Sequence, residues 1–149
     1  MFAWLLAGVA PAMALAPMVE AGVGLPELLH LGVGARVSPR WTVEVRYGNV
    51  VFNSLVGVGA TGALFGDASA GPPRHALLVD GRLMVNPTLG RFQLTGGGET
   101  IGAAAFLHSG YAFQGDNGFL FRARVGALFY EDDGFAAGPN FTVAAGWSG

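Results

Sequence analysis

The chain has 149 residues, of which 52% are hydrophobic and only 12% charged, with a formal net charge of −2 at pH 7 and no cysteine. That length holds one domain at most. The near-neutral charge favours neither nucleic acid nor a polybasic membrane patch, and without cysteine there is no disulfide framework. The charged share is about half that of an ordinary soluble domain, and the mean hydropathy is +0.46. Beyond the N-terminal segment, however, no clean apolar run of about 20 residues is available for a spanning helix. A greasy chain without greasy helices predicts strands in which apolar residues are diluted by alternation.

In chain order, "MFAWLLAGVAPAMALAP" is uncharged and apolar and ends in the small-x-small pattern Ala14-Leu15-Ala16. Residues 1–16 are expected to be a secretory signal peptide, although no Lys or Arg precedes Arg36. Residues 17–27 read as a lead-in segment and 28–149 as the barrel. The first predicted strand, 28–37, sets Leu29, Leu31, Val33 and Ala35 against His30, Gly32, Gly34 and Arg36. Ser38-Pro39-Arg40 supplies a turn. Residues 41–48 set Val43, Val45 and Tyr47 against Thr42, Glu44 and Arg46. The stretch 54–65 sets Val56 and Val58 against Gly57, Gly59 and Thr61, and 66–74, "GDASAGPPR", is a loop. Residues 75–85 place Leu77, Val79, Leu83 and Val85 opposite Asp80 and Arg82.

After a turn at 86–88, Phe92 and Leu94 alternate with Arg91 and Gln93 in a short strand ending at the 96–98 glycine run. Residues 100–113 are apolar on both faces. A turn at 114–118 leads to "NGFLFRARVGALFY", in which Phe119, Phe121, Val125 and Phe129 share one strand face, and Arg122, Arg124 and Tyr130 the other. An acidic loop at 131–139 precedes the last strand, with Phe141, Val143 and Trp147 on one face. The count is eight strands. On this phase, 86–88 and 114–118 are short turns at one end, and 66–74 and 131–139 longer loops at the other.

An eight-stranded barrel has an interior just wide enough to be filled by side chains. Arg36, Glu44, Arg46, Asp80, Arg82, Arg91, Arg122 and Arg124 all fall on the rows that would face it. Facing lipid, each arginine would cost about 2–4 kcal/mol near the midplane, and six would exceed a domain's stability of about 5–15 kcal/mol. The arginines are therefore expected inside, and Phe119, Phe121, Val125, Phe129, Phe141, Val143 and Trp147 against lipid. Six arginines against two acids leave an excess of positive charge, to be completed by water, Tyr130, carbonyls and loop acids, or used as a small anion site. Trp41, Tyr47, Tyr111, Phe129, Tyr130, Phe135 and Trp147 lie near strand ends, where outward aromatics form interfacial girdles.

The segment "SGYAFQGDNGFLFRARVGALFY", a short loop and "GPNFTVAAGWSG" resemble the C-terminal hairpin of small bacterial outer-membrane β-barrel proteins of OmpA/OmpX-like architecture. The resemblance covers the last third of the chain well and the rest in pattern. It implies an all-β fold, an eight-stranded antiparallel up-and-down transmembrane β-barrel, and a place in the bacterial outer membrane. It further implies contact with the lipid bilayer and lipopolysaccharide, and delivery by the barrel-assembly machinery. The family's usual terminal aromatic is replaced here by Gly149.

Other motifs weigh less. Some barrels of this kind are lipid A deacylases, but His108 and Ser109 are adjacent and would face opposite sides of a strand. "GVGATG", 57–62, matches a dinucleotide fingerprint but lacks the following helix. His30, His75 and His108 have no ligand spacing, and Glu131-Asp132-Asp133 reads as a solvated loop. No cofactor, metal, nucleic acid or enzymatic activity is expected; a monomeric, structural, anchoring or interaction barrel is. Alternatives are a deacylase-like barrel, a soluble lipocalin-like barrel with an apolar lumen, and a helical membrane protein packed through small residues.

Overall fold

The computed structural model describes residues 15–50, 53–66, 72–87, 102–131 and 135–149. Eight strands follow one another: β1 (Ala16–Leu25), β2 (Glu27–Arg36), β3 (Trp41–Val50), β4 (Asn53–Phe65), β5 (His75–Val85), β6 (Ala103–Gln114), β7 (Phe119–Glu131) and β8 (Phe135–Ser148). Each pairs antiparallel with the next, and β1 also pairs with β8, closing the barrel in sequence order. Closure leaves no strand edge with unpaired backbone groups. Among the described residues no helix is long and apolar enough to cross a membrane, which says nothing about strands.

Three expectations are corrected. The lead-in segment is itself a strand: Met18 to Gly22 pair with Gly34 to His30, and Met18 to Leu25 with Ser148 to Phe141. The strand expected around Arg91 lies outside the described residues, and β5 pairs directly with β6 from His75↔Phe113 to Val85↔Ala103 without it. That direct antiparallel pairing reverses the expected parity of everything downstream. The 115–118 turn therefore shares an end with 37–40, 66–74 and residues 15 and 149, opposite the connections at 26, 51–52, 86–102 and 132–134. The acidic loop is also short, because β7 runs to Glu131 and β8 starts at Phe135. Below, the end holding residues 15 and 149 is called the terminal end, the other the far end.

Alternation sorts the side chains. Along β3 the outward Trp41, Val43, Val45 and Tyr47 are exposed, and the intervening Thr42, Glu44 and Arg46 buried. The phase of β4 matches the alternation read from its sequence, with Val56 and Val58 outward and Thr61 inward, until a register shift between Ala63 and Phe65. In β6 the inward row is Ala104, Phe106, His108 and Ala112. It is mostly apolar, which hides the alternation in the sequence.

The lumen is layered. Towards the far end Val50, Leu55, Met84, Ala104, Phe106 and Leu128 form one cluster, with Tyr130 against it. Towards the terminal end Ala76, Leu78 and Ala112 pack with Ala63. Charged side chains fill the space between. Glycines make room for them across the ladder: Arg46 is paired with Gly32 and Gly57, Glu44 with Gly34 and Gly59, and Arg124 with Gly110. Gly126 is a case of enforced close approach, since a Cβ there would overlap the Leu107 carbonyl oxygen and crowd His108.

Candidate functional site: the charged lumen and its mouth

Two carboxylates organise the buried charges. Glu20 on β1 accepts from three guanidiniums on two strands: from Arg46 on β3, and from Arg122 Nη1 at 2.9 Å and Arg124 Nη2 at 3.0 and 3.1 Å on β7. Arg46 Nη2 also donates to Glu44 Oε1 at 2.7 Å. Asp80 on β5 accepts from Arg82 Nε at 2.7 Å and from Thr61 Oγ1 at 2.8 Å, with His108 Nδ1 3.0 Å away. Arg82 Nη1 reaches Glu27 Oε2 at 3.2 Å. The clusters meet where Arg124 Nε lies 3.7 Å from Asp80 and where His30 sits 3.8 Å from Glu20 and 3.6 Å from Glu27.

Glu44, Arg46, Asp80, Arg82, Arg122 and Arg124 are thus brought together in the lumen, and Arg36 lies at its terminal mouth. Arg91 lies outside the described residues. Sequence reasoning missed Glu20, Glu27, His30 and Asn140. Glu20 was hidden in the segment read as a lead-in, and its signal was the alternation of Val19, Ala21 and Val23 against Met18, Glu20 and Gly22. Glu27 faces inward through the register shift between Glu27 and Leu29. These two acids remove the expected charge excess: Glu20, Glu27, Glu44 and Asp80 face Arg46, Arg82, Arg122 and Arg124, four against four. Paired charges are the form in which ions survive burial, because an isolated one is costly to desolvate.

His108 and Ser109 do face opposite ways, His108 buried and Ser109 exposed. The imidazole has Asp80 at one nitrogen and Asn140 Oδ1, at 2.7 Å, at the other. An acid orients the ring, but the position a nucleophile would need is held by an amide. Among the described residues no group of three or more metal-binding side chains is assembled.

At the terminal mouth Arg36 Nη2 donates to Gln114 Oε1 at 2.6 Å and to Ser148 Oγ at 2.9 Å. A cavity of about 480 Å³ opens there, lined by Arg36, Arg74, Gln114, Asn117, Trp147 and Ser148 among others. Gly118 shapes its wall: φ is +85°, a conformation glycine adopts freely, and a Cβ would collide with the Trp147 indole. Trp147 Nε1 donates to the Asn117 carbonyl at 3.1 Å, fastening β8 to that turn.

The outer surface is the inverse of the lumen. Val125, Phe119, Phe141 and Trp147 are exposed, and Phe121, Phe129 and Val143 half-buried on the same outward rows. Trp41, Phe65, Tyr111, Phe119 and Trp147 gather near the terminal end, where His75 Nδ1 lies 2.6 Å from the Tyr111 hydroxyl. Tyr47 is at the far end, and the Phe135 side chain lies outside the described residues. Comparison with known proteins finds no family model, curated protein or solved structure that matches this chain. The fold is therefore established by its own geometry: an all-β, eight-stranded, antiparallel closed barrel.

Proposed function

We propose that this chain is a small closed transmembrane β-barrel of the bacterial outer membrane, with a structural, anchoring or interaction role rather than a catalytic one. One observation carries the reading. Along the described strands no Asp, Glu, Lys or Arg occupies an outward position between the rims, whereas every buried ion pair faces the lumen. The outward rows expose valine, leucine and aromatic side chains on all eight strands, far more than the few hundred Å² of apolar patch usual on a soluble monomer. Acyl chains are the solvent for which such a surface is built, because closure satisfies the backbone while the outer face between the rims offers lipid uncharged and mostly apolar groups.

The same distribution separates this reading from a soluble lipocalin-like barrel, whose lumen would be apolar. The partners that follow are the bilayer, lipopolysaccharide beside one rim, and the barrel-assembly machinery during insertion, with the protein a monomer. The test is refolding into detergent and into phospholipid vesicles, followed by gel electrophoresis with and without boiling. A fast-migrating unboiled band, and protection from protease in vesicles, are expected. A soluble detergent-free monomer with no heat-dependent shift would overturn the proposal.

A further inference from the structure

The glycines of the lumen are not all alike. At Gly34, Gly57, Gly110 and Gly146 an added Cβ would overlap a carbonyl oxygen of the neighbouring strand. At Gly32, on the inward row of β2, its nearest neighbours would all be side-chain atoms: Glu20 Cγ at 3.2 Å, Glu44 Oε2 at 3.7 Å and Arg46 Nε at 3.8 Å. Backbone approach therefore does not require this glycine, and the space beside it is about that of a methyl group. Glu44 Oε2 and Arg46 Nε are both buried without a hydrogen-bond partner among the described residues, the direct bond between these side chains running through Oε1 and Nη2 instead. Arg122 Nη1 stands 3.7 Å from the same Glu44 Oε2, too far for a direct hydrogen bond and near enough for a bridged one.

We infer that Gly32 marks a binding site for an ordered water molecule, which donates to Glu44 Oε2 and accepts from Arg46 Nε–H, with Arg122 as a third partner. An unsatisfied buried polar atom is costly, and buried waters stand where two to four such atoms converge. The mixture of partners decides the occupant. A cation would satisfy Glu44 Oε2 and be repelled by Arg46, an anion the reverse, and a methyl group would satisfy neither. Water donates and accepts at once and leaves the surrounding ion pairs as they are. The same chemistry continues at His30, whose ring nitrogens have no hydrogen-bond partner among the described residues and lie 3.8 Å from Glu20 and 3.6 Å from Glu27. Water enters from the terminal side. Arg122, the β7 arginine nearer that end, keeps 6% of its side-chain surface, against 0% for Arg46 and Arg124. The far end is closed by the cluster around Leu55, Met84 and Leu128. The charged layer is thus a one-ended pocket for water and not a passage. It lies inside the barrel, so the inference goes beyond the membrane reading and does not depend on it.

The test reads the water contact itself. In the isotope-labelled, folded barrel, rotating-frame NMR cross-relaxation is recorded between water and Arg46 Nε–H, where dipolar contact and proton exchange have opposite signs. A dipolar cross-peak is expected in the parent and lost in Gly32→Ala, whose methyl group takes the space. Gly32→Ser instead puts a hydroxyl where the water stands, accepting from Arg46 and donating to Glu44. Serine should therefore be favoured over alanine about tenfold in the unfolding equilibrium, the scale of a hydrogen bond to a charged group. The same two substitutions at Gly138, on the inward row of β8 where an added Cβ meets nothing within 4 Å, measure the intrinsic preference to be subtracted. Arg122 Nε–H should exchange with solvent faster than Arg46 Nε–H. Absence of the cross-peak in the parent, or serine no better than alanine after the subtraction, would overturn the site; if the variants do not fold, the parent cross-peak decides. A saturable shift of the Arg46 signal when chloride replaces sulfate would overturn water in favour of an anion, and faster exchange at Arg46 than at Arg122 would overturn the terminal entry. A barrel that proves a detergent-free monomer is measured in buffer in the same way, so failure of the membrane reading leaves this test intact.

Discussion

Glu20 and Leu128 are both nearly inaccessible, 4% and 2% exposed, yet the layers around them respond to change in opposite ways. At the far end Leu128 packs with Val50, Leu55, Met84, Ala104 and Phe106. Each contact there is weak and non-directional, so a deletion is felt locally and in proportion to the volume removed. In the middle, Glu20 is the shared partner of three guanidiniums. Removing it strands buried cations from β3 and β7 together. An apolar layer sets how much stability the barrel has, whereas the charged layer sets which strands must be neighbours for charge to balance.

The sharpest way to test that difference is Glu20→Gln, which preserves shape and removes the charge. Breaking a buried pair by deleting one partner costs about 3–5 kcal/mol, and the urea midpoint of the refolded barrel in detergent reads it. The loss should be partly recovered by Arg46→Met in the same chain, because groups in one network are non-additive. A change within about 0.5 kcal/mol, the size of an ordinary surface substitution, would show that Glu20 is not the hub.

Leu128→Ala is the matching change at the far end. It is expected to cost about 2–5 kcal/mol depending on how far the cavity collapses, and to add simply to Glu20→Gln, since the side chains share no partner. Strong coupling between the two would mean that the layers are not independent.

How much of this was legible follows from the residues themselves. β3 and β7 could be read directly, because Glu44, Arg46, Arg122 and Arg124 alternate with Val43, Val45, Ala123 and Val125 and each inward side is unmistakably polar. β1 could not. Its inward row is Ala16, Met18, Glu20, Gly22 and Gly24, and a single carboxylate among small residues hardly marks a period of two, least of all where the chain continues from an export-like run. That one omission also concealed the charge balance, since with Glu20 and Glu27 unplaced the arginines seemed in excess. The parity of the ends failed for a different reason: the alternation of Phe92 and Leu94 with Arg91 and Gln93 satisfies a strand pattern, but β5 finds its partner in β6. Local periodicity states which face a residue can take, and only the pairing decides whether a segment joins the sheet. The mouth was beyond the sequence altogether, because Arg36, Gln114 and Ser148 come from strands far apart in the chain and meet only once the barrel closes.

Carrying the comparison from inside to outside gives the next effect. Val45 is 57% exposed in the middle of β3, paired with Val33 and Val58, and Arg46 beside it is buried. Val45→Arg therefore places the same side chain on the other face, one residue away. In phospholipid vesicles it should cost about 2–4 kcal/mol, read by equilibrium unfolding, and in a water-surrounded barrel almost nothing. An equal and negligible effect in both settings would break the membrane reading while leaving the lumen untouched.

The smallest effect lies at the edge of the second cluster. Thr61 Oγ1 donates to Asp80 Oδ2 at 2.8 Å, while Arg82 and His108 hold the other oxygen. Thr61→Val keeps the volume and removes one of several donors, so it should cost about 1–2 kcal/mol, the range for a single bond to a charged group. Arg124 Nε, 3.7 Å from the same oxygen, is the group able to close on it and moderate the loss. Made together with Asp80→Asn, the Thr61→Val step should shrink, because the hydroxyl then faces a neutral amide; an undiminished step would show that Thr61 stabilises β4 through packing alone. The sign of that coupling distinguishes a lumen whose acids are held by many shared donors from one in which each pair stands alone. With four acids against four arginines in so narrow a barrel, sharing is what allows any single donor to be lost without unfolding the rest.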